Sequence, residues 1–152
     1  MKRVLLILLL FPLLVGCGPK TVTVTGRVTF EGEPMKDINV FFLPIANSAT
    51  VPPAAAGLTD ANGVYRLRLI GEQKKAGAIP GEYAVSLSWK DPKQDPYPER
   101  EGYVPNPNPY EKMVPDKAIL GQLQFTVPTG GPVTADWTFT QEDMKEVMKI
   151  GF

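Results

Sequence analysis

The chain has one cysteine, Cys17, and no histidine. A lone thiol cannot close an internal disulfide or build a thiolate metal cluster, so its available chemistry is nucleophilic attack or covalent modification. Nucleophilic catalysis by a thiol or hydroxyl draws on a neighbouring base, and without histidine the usual base and the commonest metal ligand are both missing. Glu99 and Glu101 form a carboxylate pair that could share one face of an extended chain. Nothing around them in the sequence predicts a low-dielectric pocket, so they read as a solvated pair. Asp60 and Asn62 could open a calcium loop. The fifth and twelfth positions of such a loop would be Val64 and Gly71, neither of which is a ligand, and a tight turn accounts for the same residues. Tyr97, Tyr103 and Tyr110 surround Arg100 in a proline-rich stretch. Their faces could stack on sugar rings or anchor a protein partner; alternatively the rings cover one end of the domain and leave only hydroxyls wet. No catalytic residue, metal ligand or cofactor is assigned.

The residues around Cys17 give the thiol a context. Lys2 and Arg3 precede an apolar run from Val4 to Val15, broken by Pro12. A basic start and a run of this length match a secretory signal helix, and the run is shorter than the roughly 20 residues a spanning helix needs. It stops at Leu14-Val15-Gly16-Cys17. This resembles a bacterial lipobox, which implies cleavage of the Gly16-Cys17 bond, a diacylglycerol thioether on Cys17 and acylation, such as with palmitate, of the new amino terminus. The alternative is an incidental cysteine after an ordinary signal peptide. Two or three acyl chains make a durable membrane anchor, whereas one binds only marginally. Residue 18 is Gly rather than Asp, which in lipoprotein rules favours the outer membrane over the inner.

Behind these residues stands a chain with the means to build a core. Of its 152 residues, 43% are hydrophobic and 21% charged, and 16 prolines with 14 glycines signal short strands between turns. Removing residues 1–16 leaves 14 basic against 16 acidic residues, so no basic field points to nucleic acid. From Thr21 apolar residues recur with period two. Val22, Val24, Val28 and Phe30 fall on one parity, with Gly26 marking a bulge or a close backbone approach. Further strands read around Ile38 to Leu43, Tyr65 to Leu69, Tyr83 to Trp89, Ile119 to Val127 and Val133 to Thr140. Trp89 and Trp137 lie on the apolar parities of their strands and read as core. Thr59 to Gly63 reads as a hairpin turn, and residues 91–116 as a long surface excursion. The tail, 141–152, could be a short helix capped at Thr140, with Met144, Val147 and Met148 on one face. The expected fold is all-β: an antiparallel sandwich of about seven strands.

Several of these segments occur together in a known family. Val24-Thr25-Gly26-Arg27-Val28, Gly32-Glu33-Pro34, Val40-Phe41-Phe42, Thr59 to Leu67 and Ile79 to Val85 resemble the carboxypeptidase regulatory-like domain, a transthyretin-like sandwich. Pro107 to Tyr110 and Leu123 to Val127 are similar to a small lipoprotein branch that carries this domain alone. The resemblance implies fold and no active site. Cna-B-type adhesin domains share the Asp-x-Asn-Gly-x-Tyr turn, but their strand lysine is replaced here by Arg27, which cannot form the isopeptide.

These readings divide the chain into a signal peptide (1–16), a lipidated linker (17–20), the sandwich (21–140) and the tail (141–152). The expected role is that of a non-catalytic module of the cell envelope, held to the membrane through lipid on Cys17 and facing the periplasm or exterior. It would act structurally or by binding an envelope protein. The second reading is a carbohydrate-binding module using the loop of Tyr97, Arg100, Tyr103 and Tyr110.

Overall fold

The computed structural model describes residues 20–45, 51–71, 74–92 and 106–146. Ten strands form two five-stranded sheets that pack as a sandwich. The first sheet is built around β1 (Val24–Phe30). Along one edge β1 pairs antiparallel with β5 (Val64–Arg66) and β2 (Glu33–Pro34). Along the other it pairs parallel with β9 (Val133–Thr134) and β10 (Trp137–Phe139). The second sheet is antiparallel, in the order β6 (Arg68–Leu69), β4 (Ala55–Leu58), β3 (Ile38–Pro44), β7 (Gly81–Trp89) and β8 (Leu123–Val127).

The period-two pattern decides which side chains meet between the sheets. Val24, Val28 and Phe30 face inward from β1, opposite Ile38, Val40 and Phe42 from β3 and Tyr83, Val85 and Leu87 from β7. Each such side chain taken fully out of water contributes about 1.5–3 kcal/mol. A chain of rings closes one side of the sandwich. Phe42 tilts onto Tyr83 with centroids 5.7 Å apart and meets Phe125 edge-on at 5.6 Å, and Phe125 meets Trp137 of the other sheet at 6.3 Å.

The opposite side is closed by the chain itself. Tyr65, Leu67 and Leu69 point inward and Arg66 and Arg68 outward, as the alternation predicts. Yet the segment does not stay in one sheet: β5 belongs to the first, β6 to the second, and Leu67 is the corner. The turn before it also differs from a hairpin. Asp60 N–H donates to the Val64 carbonyl and Gly63 N–H to the Asp60 carbonyl, both at 2.9 Å, so the chain reverses tightly. The strands on either side of it pair with different partners, so the turn carries the chain between sheets. Thr59 anchors this crossing: its buried Oγ1 accepts from Ile38 N–H at 2.8 Å, and its own N–H donates to the Ile38 carbonyl.

Three further differences have local causes. β9 and β10 run parallel to β1 because Val127 pairs with Gly81, beside the start of β1, so the chain re-enters the first sheet at that end. The segment Ile119 to Val127 is not all strand: Asp116–Ile119 forms a one-turn helix (α1) behind Pro115, and Gly121 at φ 68° turns the chain into β8. Trp89 and Trp137 are half-buried, packed against the core rather than enclosed by it. The tail begins as a helix, α2 (Gln141–Glu146), with Met144 packed on the core; Val147 and Met148 lie outside the described residues. No helix among the described residues is long and apolar enough to cross a membrane.

Candidate functional site

Of the residues singled out from the sequence, Cys17, the Gly16-Cys17 bond, Tyr97, Arg100 and Tyr103 lie outside the described residues, as do Glu99 and Glu101. Tyr110 is described. It is half-buried, its ring packs against the core, and its hydroxyl accepts from Lys36 N–H at 3.0 Å. Tyr110 therefore pins the end of the proline-rich excursion to the chain after β2. Asn108 shapes that end by accepting from Tyr110 N–H at 2.9 Å.

Asp60 is occupied by the turn. Its Oδ1 accepts from Asn62 N–H at 2.8 Å and Val64 N–H at 3.0 Å, while Gly63 at φ 71° supplies the left-handed residue. An added Cβ at Gly63 would lie 2.5 Å from the Val28 carbonyl oxygen, so this turn is also wedged against β1. Among the described residues no three carboxylates or other metal-ligating side chains come together.

A surface depression lies on the outer face of the first sheet. Thr25, Gly26 and Arg27 of β1, Val64 of β5, and Thr134 and Asp136 line a shallow, open depression of about 280 Å³. It exists because the parallel ladder breaks between β9 and β10. Asp136 replaces a backbone acceptor there, its Oδ1 taking the Arg27 N–H at 2.8 Å, while Ala135 N–H still donates to the Thr25 carbonyl. The Ala135 carbonyl turns inward and accepts from the Tyr65 hydroxyl at 2.6 Å; that hydroxyl in turn accepts from Trp137 Nε1 at 3.1 Å. Burial pushes the Tyr65 phenol well above its ordinary range, and it stays a neutral donor.

Gly26 is what permits the break. A Cβ there would fall 1.9 Å from the Ala135 carbonyl oxygen and 2.8 Å from the Tyr65 ring, so the glycine marks a close backbone approach. Sequence reasoning placed Gly26 correctly in kind but missed Asp136, because the contact joins residues 109 apart with no local pattern between them.

Chemically this surface offers hydroxyls, one guanidinium and a carboxylate already engaged by the backbone. Such a set can hydrogen-bond a partner across a flat contact. It holds no second carboxylate to serve as an acid paired with a base.

No family model matches the chain, and no curated protein matches it. Among solved structures it is similar to a DUF3823 family protein from Parabacteroides merdae ATCC 43184, at 15% identity and a TM-score of 0.40. The match covers 81% of this chain and 47% of that one, so the chain spans about half the length of that protein.

Proposed function

We propose that this protein is a lipid-anchored module of the cell envelope that works by contact and not by catalysis. The observation that carries the reading is the place of the one cysteine. Cys17 ends the apolar run behind Lys2 and Arg3, and five residues later Val22 is already bridged to Ala78 in the sandwich. Acyl chains on Cys17 would thus join directly to a packed domain, with almost no linker between membrane and fold. The carboxypeptidase regulatory-like resemblance implies a fold and no active site, and assigns no role of its own.

Labelled palmitate supplied to cells making the full chain is expected to enter the protein and to be lost with Cys17→Ser. Equal labelling of both forms would remove the anchor. The contact surface we favour is the threonine- and arginine-bearing outer face of the first sheet, whose depression is lined by strand residues and Asp136.

The carbohydrate-binding alternative draws on Tyr97, Arg100 and Tyr103. Tyr110 is committed to packing and to Lys36 N–H, so it supplies no free stacking face. Glycan-array binding abolished by Tyr97→Ala or Tyr103→Ala would favour that reading, and a blank array would remove it.

A further inference from the structure

The two ends of the sandwich carry opposite charge. At the end where β1 starts, Val22 bridges Ala78 and Arg68 bridges Ala76, while Leu69 N–H donates to the Lys75 carbonyl. These pairings gather Lys20, Arg66, Arg68, Lys74 and Lys75, all exposed, around one rim; Glu82 is exposed on β7 beside it, and Glu72 lies outside the described residues. Two large apolar side chains stand exposed at the same end: Ile70, 49% accessible, whose N–H donates to Ala54, and Val51, 55% accessible, three residues before Ala54. At the far end of β1, roughly 20 Å away by strand rise, lie Glu31, Glu33, Asp37, Asp60, Glu142 and Asp143. There Lys36 is paired with Asp37 and Lys117 with Asp143, and the exposed Lys90 joins them through its N–H on the Asp37 carbonyl, which leaves the carboxylates in excess.

We infer that the basic rim, together with the exposed Ile70 and Val51, is the face that rests on an anionic phospholipid surface. The inference rests on the anchored reading of Cys17 and adds an orientation to it. Cys17 precedes Val22 by five residues, so the chain between them reaches at most about 18 Å, and the rim is held within that distance of the head groups. Cations within a Debye length of about 8 Å are drawn to lipid phosphates, and apolar side chains among them enter the interface. The acidic end is repelled by the same surface. The anchor supplies proximity and the charge separation supplies direction, leaving the outer face of the first sheet upright and accessible to a partner.

The test uses the full chain, purified from membranes and reconstituted into vesicles of phosphatidylcholine alone or mixed with phosphatidylglycerol. A nitroxide is placed at Ile70→Cys or, as reference, at Glu142→Cys, and its collisions with an aqueous chromium complex are measured. On the anionic vesicles the label at position 70 is expected to be shielded about fivefold or more relative to position 142. Raising salt to about 0.5 M, or the combined Arg66→Gln, Arg68→Gln and Lys74→Gln substitutions, is expected to abolish the shielding. Intact mass of the same sample reports Cys17 independently. Acylated Cys17 with equal accessibility on both vesicles overturns the orientation and leaves the anchor standing. Unmodified Cys17 overturns the anchor and the orientation with it.

Discussion

The Tyr65 hydroxyl donates to the Ala135 carbonyl and accepts from Trp137 Nε1, so Tyr65→Phe leaves two groups unpaired beside the core. That change is expected to cost about 2 kcal/mol, read as a lower urea midpoint with an unchanged slope. Burial keeps this phenol neutral in the folded state and raises Tyr83 in the same sense. An unfolded tyrosine ionises near pH 10, so the folded state binds more protons above that point. Stability contributed by the buried phenols is therefore complete below about pH 10 and declines as pH rises beyond it. Urea midpoints measured from about pH 8 to 11 should fall, and fall less steeply in Tyr65→Phe. Gly26→Ala acts on the same contact from the other side. Its Cβ would meet a backbone oxygen that cannot swing aside, so a loss of about 2–3 kcal/mol is expected. A midpoint equal to that of the unaltered protein would mean that β1 and β9 do not approach as described.

Among the elements, those with strict alternation were legible and those made by long-range pairing were not. β1, β3 and β7 follow the sequence pattern almost residue for residue, because one face of each is buried along its whole length. β4 leaves no mark in the sequence: Ala55, Ala56 and Gly57 carry no strand signal, yet small side chains are what the place between β3 and β6 demands. A Cβ on Gly57 would come within 2.8 Å of the Arg66 carbonyl oxygen. The alternation of residues 65–69 and 133–139 holds although each segment divides into two strands, since period two records which way a side chain points and not which strand it joins. Of the candidate site, Tyr110 was visible as a residue but its commitment to Lys36 was not, and the Asp136–Arg27 contact left no local trace.

Helix α2 shows the reverse case. Its start was readable from Thr140 and Asp143, and the structure adds its ties: Thr140 N–H donates to Asp143 Oδ2 at 2.9 Å, Gln141 N–H to Glu31 Oε1 at 2.7 Å, and Lys117 Nζ reaches Asp143 Oδ1 at 3.2 Å. The Thr140 hydrogen bond, with Lys117 behind it, holds the Asp143 carboxyl below the usual carboxylate range. Its contribution is thus present above about pH 4 and is lost as pH falls through its lower folded value. Asp143→Asn is expected to speed amide exchange in α2 at neutral pH and to remove that acid-side loss. Unchanged exchange would show that the helix docks through Met144 alone.

At the scale of the whole molecule, the described residues form a sandwich of about ten strands, and on the proposed reading the residues before it serve export and acylation. The basic end of the domain is the one at which Lys20 and Val22 enter it, and the acidic residues gather at the other. On the proposed reading both features suit a body that is held in place and presents a face. The central claim is the covalent one, that Cys17 is where the fold meets the membrane. Intact mass spectrometry of the full chain, purified from the membranes of the cells that make it, tests it most directly. The account predicts a protein that begins at Cys17, lacks residues 1–16 and carries a diacylglycerol with an amide-linked acyl chain on that residue. A protein that retains residues 1–16, or begins at an unmodified thiol, would contradict it.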